Sequence, residues 1–174
     1  MIETERLLLR PPVLADFEAS AAMFADADVT AHIGGTPLDR ETAWTRFLRD
    51  AGHWSLHPFG LFTVIEKASG AYVGKVGYAH FQRDLGLSNA AIEMSWTLAS
   101  GFHGRGYASE AGRAAQAWFD ATHGLRTACL IAPANLPSLR LADRLGYREV
   151  DRFVPNGRDP ERKIVVLARD PGGT

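Results

Sequence analysis

Apolar positions along this chain change period several times, and each change marks an element. Residues 7–9 (Leu7-Leu8-Leu9) read as a first strand, ended by Pro11-Pro12 because proline removes a ladder donor and fixes φ. Over residues 16–25, Phe17, Ala21 and Phe24 recur at helical spacing. Asp39 is a good N-cap for a second helix, running to Gly52 with Ala43, Phe47 and Leu48 inward. Ile33-Gly34-Gly35 connects the two helices. Residues 61–66 and 72–81 are strand-like, with Lys67-Ala68-Ser69-Gly70 as a hairpin turn between them. Over residues 91–98 the pattern alternates, with Ile92, Met94, Trp96 and Leu98 on one face and Glu93, Ser95 and Thr97 on the other.

A glycine-rich turn follows, then a helix carrying Ala108, Ala111, Ala115 and Trp118 on one stripe and stopping at His123-Gly124. Residues 127–132 are apolar without alternation, which predicts a central strand buried on both faces. Asn135-Leu136-Pro137-Ser138 opens another helix, with Leu141 and Leu145 inward and Gly146 ending it. Strands near residues 149–154 and 163–168 close the chain. The order β-α-α-β-β-β-α-β-α-β-β predicts an α/β fold, a mixed central sheet of six to seven strands flanked by helices.

At 174 residues, 46% hydrophobic and 22% charged, the chain suits one domain over residues 1–174 with a sizeable core. A net charge of −1 excludes the broad basic face of a general nucleic-acid binder, so small molecules or protein termini are the expected partners. No apolar run is long enough to cross a bilayer, and the charged start through Arg6 is not signal-like, so a cytoplasmic location is expected. Cys129 is the lone cysteine, which excludes an intramolecular disulfide and a CxxC site. The six histidines include no HExxH motif, so no metal is predicted.

The stretch from Gly101 to Ala111 carries the chemistry. A glycine-rich turn feeding a helix N-terminus is an anion site, because unpaired N–H groups and the positive end of the helix dipole converge there. Gly101 and Gly106 stand at P-loop spacing, but Tyr107-Ala108 replaces the Lys-Ser/Thr that reaches phosphates and magnesium. Gly104-Arg105-Gly106 begins a dinucleotide fingerprint, yet Ser109 holds the third glycine position. The ribose-binding acid expected about 20 residues on meets Ile131-Ala132-Pro133. A pyrophosphate cradled by backbone alone remains.

His103-Gly104-Arg105-Gly106-Tyr107-Ala108 resembles the acetyl-CoA loop of the GNAT superfamily of N-acetyltransferases, Gln/Arg-x-x-Gly-x-Gly/Ala, with His103 departing at the first position. Asn135-x-x-Ser138, followed by Leu141 and Arg144-Leu145-Gly146-Tyr147, is similar to that family's second cofactor motif. Residues 3–10 and Ala91-Ile92-Glu93-Met94-Ser95-Trp96 resemble the branch containing the ribosomal-protein N-terminal acetyltransferases. The resemblance implies the GNAT fold, acetyl-CoA as co-substrate, no metal, and direct transfer to a primary amine on a peptide N-terminus or a small molecule. A monomer or homodimer is expected. It further implies that His103, Gly104, Arg105, Gly106, Tyr107 and Ala108 hold the pyrophosphate, and that the backbone of Trp96, Thr97 and Leu98 meets the pantetheine arm and thioester carbonyl. A catalytically silent acyl-CoA sensor on the same fold is the alternative.

Transfer to an amine requires removing a proton, since an α-amino group titrates near ~8 and a lysine near ~10.4. Glu93 is the candidate general base, because burial on a central strand can raise a carboxylate's pKa; the other reading is a polar residue on a solvated face. Asn135 can bond the pantetheine arm, cap the following helix, or both. Ser138 can protonate the leaving thiolate or merely serve the first helical turn. Many family members place a tyrosine four residues later, where this chain has Ala142, which shifts the acid role to Ser138 or water. Arg105 and His103 can add charge at the pyrophosphate, with a solvated arginine and a neutral imidazole as the alternatives. Cys129 in an apolar run reads as a small core hydrophobe, which excludes an acyl-cysteine route. Trp44, Trp54 and Phe59 are either core or acceptor contacts.

Overall fold

Asp39 accepts the amide of Thr42 at 2.7 Å and starts a helix where its capping chemistry requires one. The computed structural model describes residues 1–83, 92–154 and 163–172. In chain order the elements are β1 (Ile2–Glu3), β2 (Leu7–Arg10), α1 (Phe17–Ala25), α2 (Ala27–Thr30), α3 (Arg40–Leu56), β3 (Leu61–Glu66), β4 (Tyr72–Ala79) and β5 (Ile92–Leu98). After these come α4 (Tyr107–Thr122), β6 (Thr127–Ile131), α5 (Leu136–Arg144), β7 (Arg148–Phe153) and β8 (Ile164–Arg169). Residue 91 of the expected strand 91–98 lies outside the described residues.

The strands form one sheet in the order β1-β2-β3-β4-β5-β6-β8-β7. Among the described residues only β5 and β6 pair in parallel, so the sheet is mixed, as the element order predicts. It has eight strands rather than six to seven. The addition is β1, a two-residue strand too short to show a period, held by the pairs Ile2↔Leu9 and Glu3↔Leu8. β4 and β5 approach so closely that a Cβ on Gly74, at φ 152°, would collide with the Thr97 carbonyl oxygen.

α4 lies on the sheet through Ala111, Ala115 and Phe119, all fully buried. Phe119 takes the inner seat expected for Trp118, one helical position away, and stacks on Tyr78 with ring centroids 3.9 Å apart. β6 is buried along its length except at Leu130, which is half-buried. Leu141 and Leu145 of the α5 region are buried as expected, and Gly146 ends the helix at φ 85°. Leu48 departs from expectation. It is 50% exposed, because α3 turns Ala43 and Phe47 inward and the next residue lies 100° away around the helix.

Candidate active site

Among the described residues, β5 and β6 are ladder partners at two positions, Ile92↔Thr127 and Glu93↔Ala128. Beyond them β5 continues against β4 to Leu98, and β6 continues against β8 to Ile131. A cleft of about 820 Å³ lies between the parted ends, lined by residues 94–98 on one side and 129–132 on the other. Backbone groups of β5 that would have faced β6 are left as a free strand edge, which suits an extended ligand with amide groups of its own. The Trp96, Thr97 and Leu98 positions expected to meet the pantetheine arm form this edge.

At the far end of β5 the chain turns through Gly104 (φ 73°) and Gly106 (φ 80°). Gly106 is the N-cap of α4 and has no side chain to satisfy the helix. The first bond of the helix is from the Glu110 amide to the Gly106 carbonyl, 3.1 Å, so the amides of Tyr107, Ala108 and Ser109 precede any intrahelical partner. These residues line the cleft together with Gly104 and Gly106. An added Cβ at Gly104 would meet no atom within 4 Å, and one at Gly106 only an Arg6 Nη at 3.5 Å, so the loop backbone stands open to a ligand.

His103 also lines the cleft. Its Nε2–H donates to the Leu98 carbonyl at 2.9 Å, tying the loop to the end of β5. Arg105 turns elsewhere, donating to Glu66 Oε1 at 3.2 Å and the Tyr107 hydroxyl at 3.3 Å, with its guanidinium over the Phe102 and Tyr107 rings. Arg140 and Arg144 of α5 also line the cleft; Arg144 donates to Ser109 Oγ at 3.2 Å, and Arg6 donates to the Arg105 carbonyl at 3.1 Å. The i,i+4 spacing of Arg140 and Arg144 after the Asn135 cap was the available sequence signal. Open loop, orphan amides and two guanidiniums fit a pyrophosphate, and the free β5 edge fits the arm that CoA carries beyond it.

Glu93 sits where the strands part and is only 4% exposed, so it does not lie on a solvated face. Burial pushes its pKa up; the nearby Arg83 and Arg49 guanidiniums offset part of that rise. Arg83 pairs with it at 3.3 Å. Across the cleft, Asn135 accepts the Ser138 amide at 3.2 Å and caps α5. The Trp96 indole N–H donates to Ser138 Oγ at 3.1 Å. An indole only donates, so Ser138 accepts there and keeps its own O–H for the cleft. Ala142 is fully buried. Cys129 borders the cleft, but burial and the Glu93 charge push its thiol up, leaving little thiolate at neutral pH.

Trp44 packs on Phe17 and Phe47, Trp54 donates to the Leu61 carbonyl at 3.0 Å, and Phe59 packs edge-on to Phe119. All three serve the packing around α3 and the sheet, and the cleft is lined without them. Four basic residues that line the cleft were not anticipated: Arg46 and Arg49 of α3, Lys75 of β4 opposite Thr97, and Arg83, which pairs with Glu93. Lys75 is buried against Asp50, which also accepts from Arg49 at 3.0 Å. Burial pushes the Lys75 ammonium down to about 8 against the pull of Asp50. A lysine between Val73-Gly74 and Val76 in an apolar strand was the signal that could have exposed it. Among the described residues, no three His, Cys, Asp or Glu side chains cluster as a metal site requires, and no helix is long and apolar enough to cross a membrane.

Comparison with known proteins agrees with this geometry. The acetyltransferase (GNAT) domain profile matches residues 6–148. A putative GNAT-family acetyltransferase from Bordetella pertussis is 32% identical, with a TM-score of 0.81 over 97% of this chain and 98% of that one. The uncharacterized N-acetyltransferase YnaD of Bacillus subtilis is 24% identical over 162 residues, 91% of this chain and 90% of that protein. A putative acetyltransferase from Salmonella typhimurium, solved with its cofactor acetyl-CoA, shares the fold at 16% identity and a TM-score of 0.71, covering 98% of this chain and 96% of that one. With a family match across most of its length and a cleft that fits CoA, the chain belongs to the GNAT acetyltransferases and is an acetyl-CoA-dependent acyltransferase.

Proposed function

We propose that residues 1–174 act as one domain that transfers the acetyl group of acetyl-CoA directly to a primary amine, with Glu93 as general base and Ser138 as the proton source for the departing sulfur. The observation that carries this reading is the placement of Glu93, buried at the parting of β5 and β6 and inside the same cleft as the α4 N-terminus. A carboxylate held there with its pKa raised by burial is a stronger base than an exposed one.

Acetyl-CoA supplies an acyl group activated as a thioester. The amides at the start of α4, with Arg140 and Arg144, hold the pyrophosphate, and the β5 edge orients the arm. Glu93 Oε takes a proton from the incoming ammonium, directly or through a water. Ser138 Oγ–H, held by Trp96, is the donor on the other wall of the cleft. The amine leaves as an amide, CoA leaves as a thiol, and the proton balance is one released to solvent. The raised thiol pKa of Cys129 supports direct transfer over an acyl-cysteine route.

The acceptor is a protein N-terminus, as in the branch that residues 3–10 resemble, or a small-molecule amine. Thiol release from acetyl-CoA, measured across peptides, amino acids, polyamines and aminoglycosides, tests the reading. Amine-dependent release that falls in Glu93→Gln is the expected result. Tight CoA binding with no release for any amine would make the protein an acyl-CoA sensor instead.

A further inference from the structure

Among the described residues, the α3 side of the cleft has more positive charge than its carboxylates neutralise. Arg46, Arg49, Lys75 and Arg83 line it. Arg49 and Lys75 share one carboxylate, Asp50, and Arg83 pairs with Glu93. Arg46 has no carboxylate within ion-pairing distance among the described residues. It lies half-buried, its guanidinium over the Phe24 ring with 4.7 Å to the centroid. Burial chiefly pushes its pKa down, with Arg49 and Arg83 adding to the fall and Asp50 opposing it. Among the described residues, the four cations exceed Asp50 and ionised Glu93 by two, and the exposed Asp28, which also lines the cleft, still leaves an excess of one.

We propose that the acceptor amine carries a carboxylate, as an amino acid does, and that Arg46 with its neighbour Arg83 binds that group beside Glu93. The inference rests on the acetyl-transfer reading of the cleft. A half-buried guanidinium facing a cleft without a partner keeps its donors free, and a ligand carboxylate supplies a partner through charge-assisted, bidentate hydrogen bonds. The chemistry adds a second reason. When Glu93 accepts the substrate proton the net charge of the site is unchanged, because the ammonium loses the charge that neutralises Glu93, but Arg83 loses its ionised partner. An acceptor carboxylate compensates at that moment. The same field favours the neutral amine over the ammonium, so it assists deprotonation. A polyamine would bring further positive charge to this side of the cleft and be repelled.

Matched pairs of free amino acids and their carboxamides, together with spermidine, provide the test. Amidation removes the carboxylate and makes the amine easier to deprotonate, so preference for the acid cannot come from amine basicity. With saturating acetyl-CoA, the best amino acid is expected to exceed its carboxamide at least about 10-fold in kcat/KM, a margin in the range of one charge-assisted pair. Arg46→Gln should bring the two within about 3-fold through a raised KM for the acid, Arg46→Lys should restore part of the margin, and the KM for acetyl-CoA should hold. Calorimetric binding of the same amino acids to the protein–CoA complex reads recognition without turnover. Amino-acid binding lost in Arg46→Gln, with no acetylation of any amine, would support the anion site while defeating the transfer reading. Preference for carboxamides or spermidine, discrimination intact in Arg46→Gln, or amino acids neither bound nor acetylated would each overturn the proposal.

Discussion

The indole of Trp96 on β5 donates to the hydroxyl of Ser138 in the first turn of α5, 3.1 Å away, bridging the two walls of the cleft. Because that bond occupies the serine as an acceptor, its proton is available to the departing sulfur. Ser138→Ala is expected to lower kcat about 10²-fold while changing the acetyl-CoA KM much less, since a proton delivered as charge develops matters only in the transition state. Trp96→Phe, which removes one hydrogen bond worth about 1 kcal/mol, should lower kcat about 5-fold. Steady-state kinetics separates the cases. An Ser138→Ala enzyme with kcat intact assigns the proton to water.

Glu93→Gln keeps the shape of the side chain and cannot accept a proton. A loss of roughly 10²- to 10⁴-fold in kcat at pH 7 is expected, shrinking at higher pH where the amine deprotonates unaided. A loss constant across pH would mean damage to the site rather than removal of a base.

The same residue has a stability signature. Its folded pKa lies above the ordinary carboxylate value because burial penalises the charged form. Its contribution is therefore fully present below that ordinary value and is lost as pH rises through the raised one. Melting temperatures from pH 4 to 8 should show Glu93→Gln gaining on the parent protein as pH increases. Parallel profiles would contradict a raised pKa.

Gly106 stands at φ 80° on the cleft side of the α4 N-terminus. Gly106→Val should abolish stabilisation by CoA, which for the parent protein amounts to about 2.7 kcal/mol at 100-fold the Kd. Replacing Arg140 and Arg144 by alanine should weaken CoA binding most at low salt, where charge contributes most. Titration calorimetry at two ionic strengths checks both variants, and an unchanged salt dependence would remove the two arginines from the pyrophosphate site.

Asp16 anchors the N-terminal helices to the sheet, far in role from the chemistry. It accepts two bonds from Arg10 at 2.7 Å, one from the Val13 amide at 2.9 Å and one from the Thr63 hydroxyl at 3.0 Å. Burial pushes its pKa up, but these bonds together hold it below the usual carboxylate range. Its stabilisation is thus present at neutral pH and lost as pH falls through the depressed folded pKa. Asp16→Ala strands the Arg10 charge, and urea unfolding at pH 7 should show a loss of about 3–5 kcal/mol. A loss under about 1 kcal/mol would place the pair among weak surface bridges.

Local features were legible in the residues because their physics is local. A glycine at positive φ, an Asp39 or Asn135 cap, and a helix stop at His123-Gly124 depend on a few neighbours in the chain, so the glycine turn before α4 and most element types followed from sequence. Helix phase was already less certain: a 100° step separates Phe119 from Trp118, and Phe47 from Leu48, and only packing against the sheet decides which turns inward. What makes the cleft a site lay beyond any local pattern. The parting of β5 and β6 after Glu93↔Ala128 is a matter of register between strands that α4 separates in the chain. Trp96 meets Ser138 across 42 residues, and Lys75 meets Asp50 across 25. Charges from α3, β4 and the segment after it gather along the cleft only once the sheet has assembled, and a charge's effect depends on distance and burial, which the order of residues does not specify.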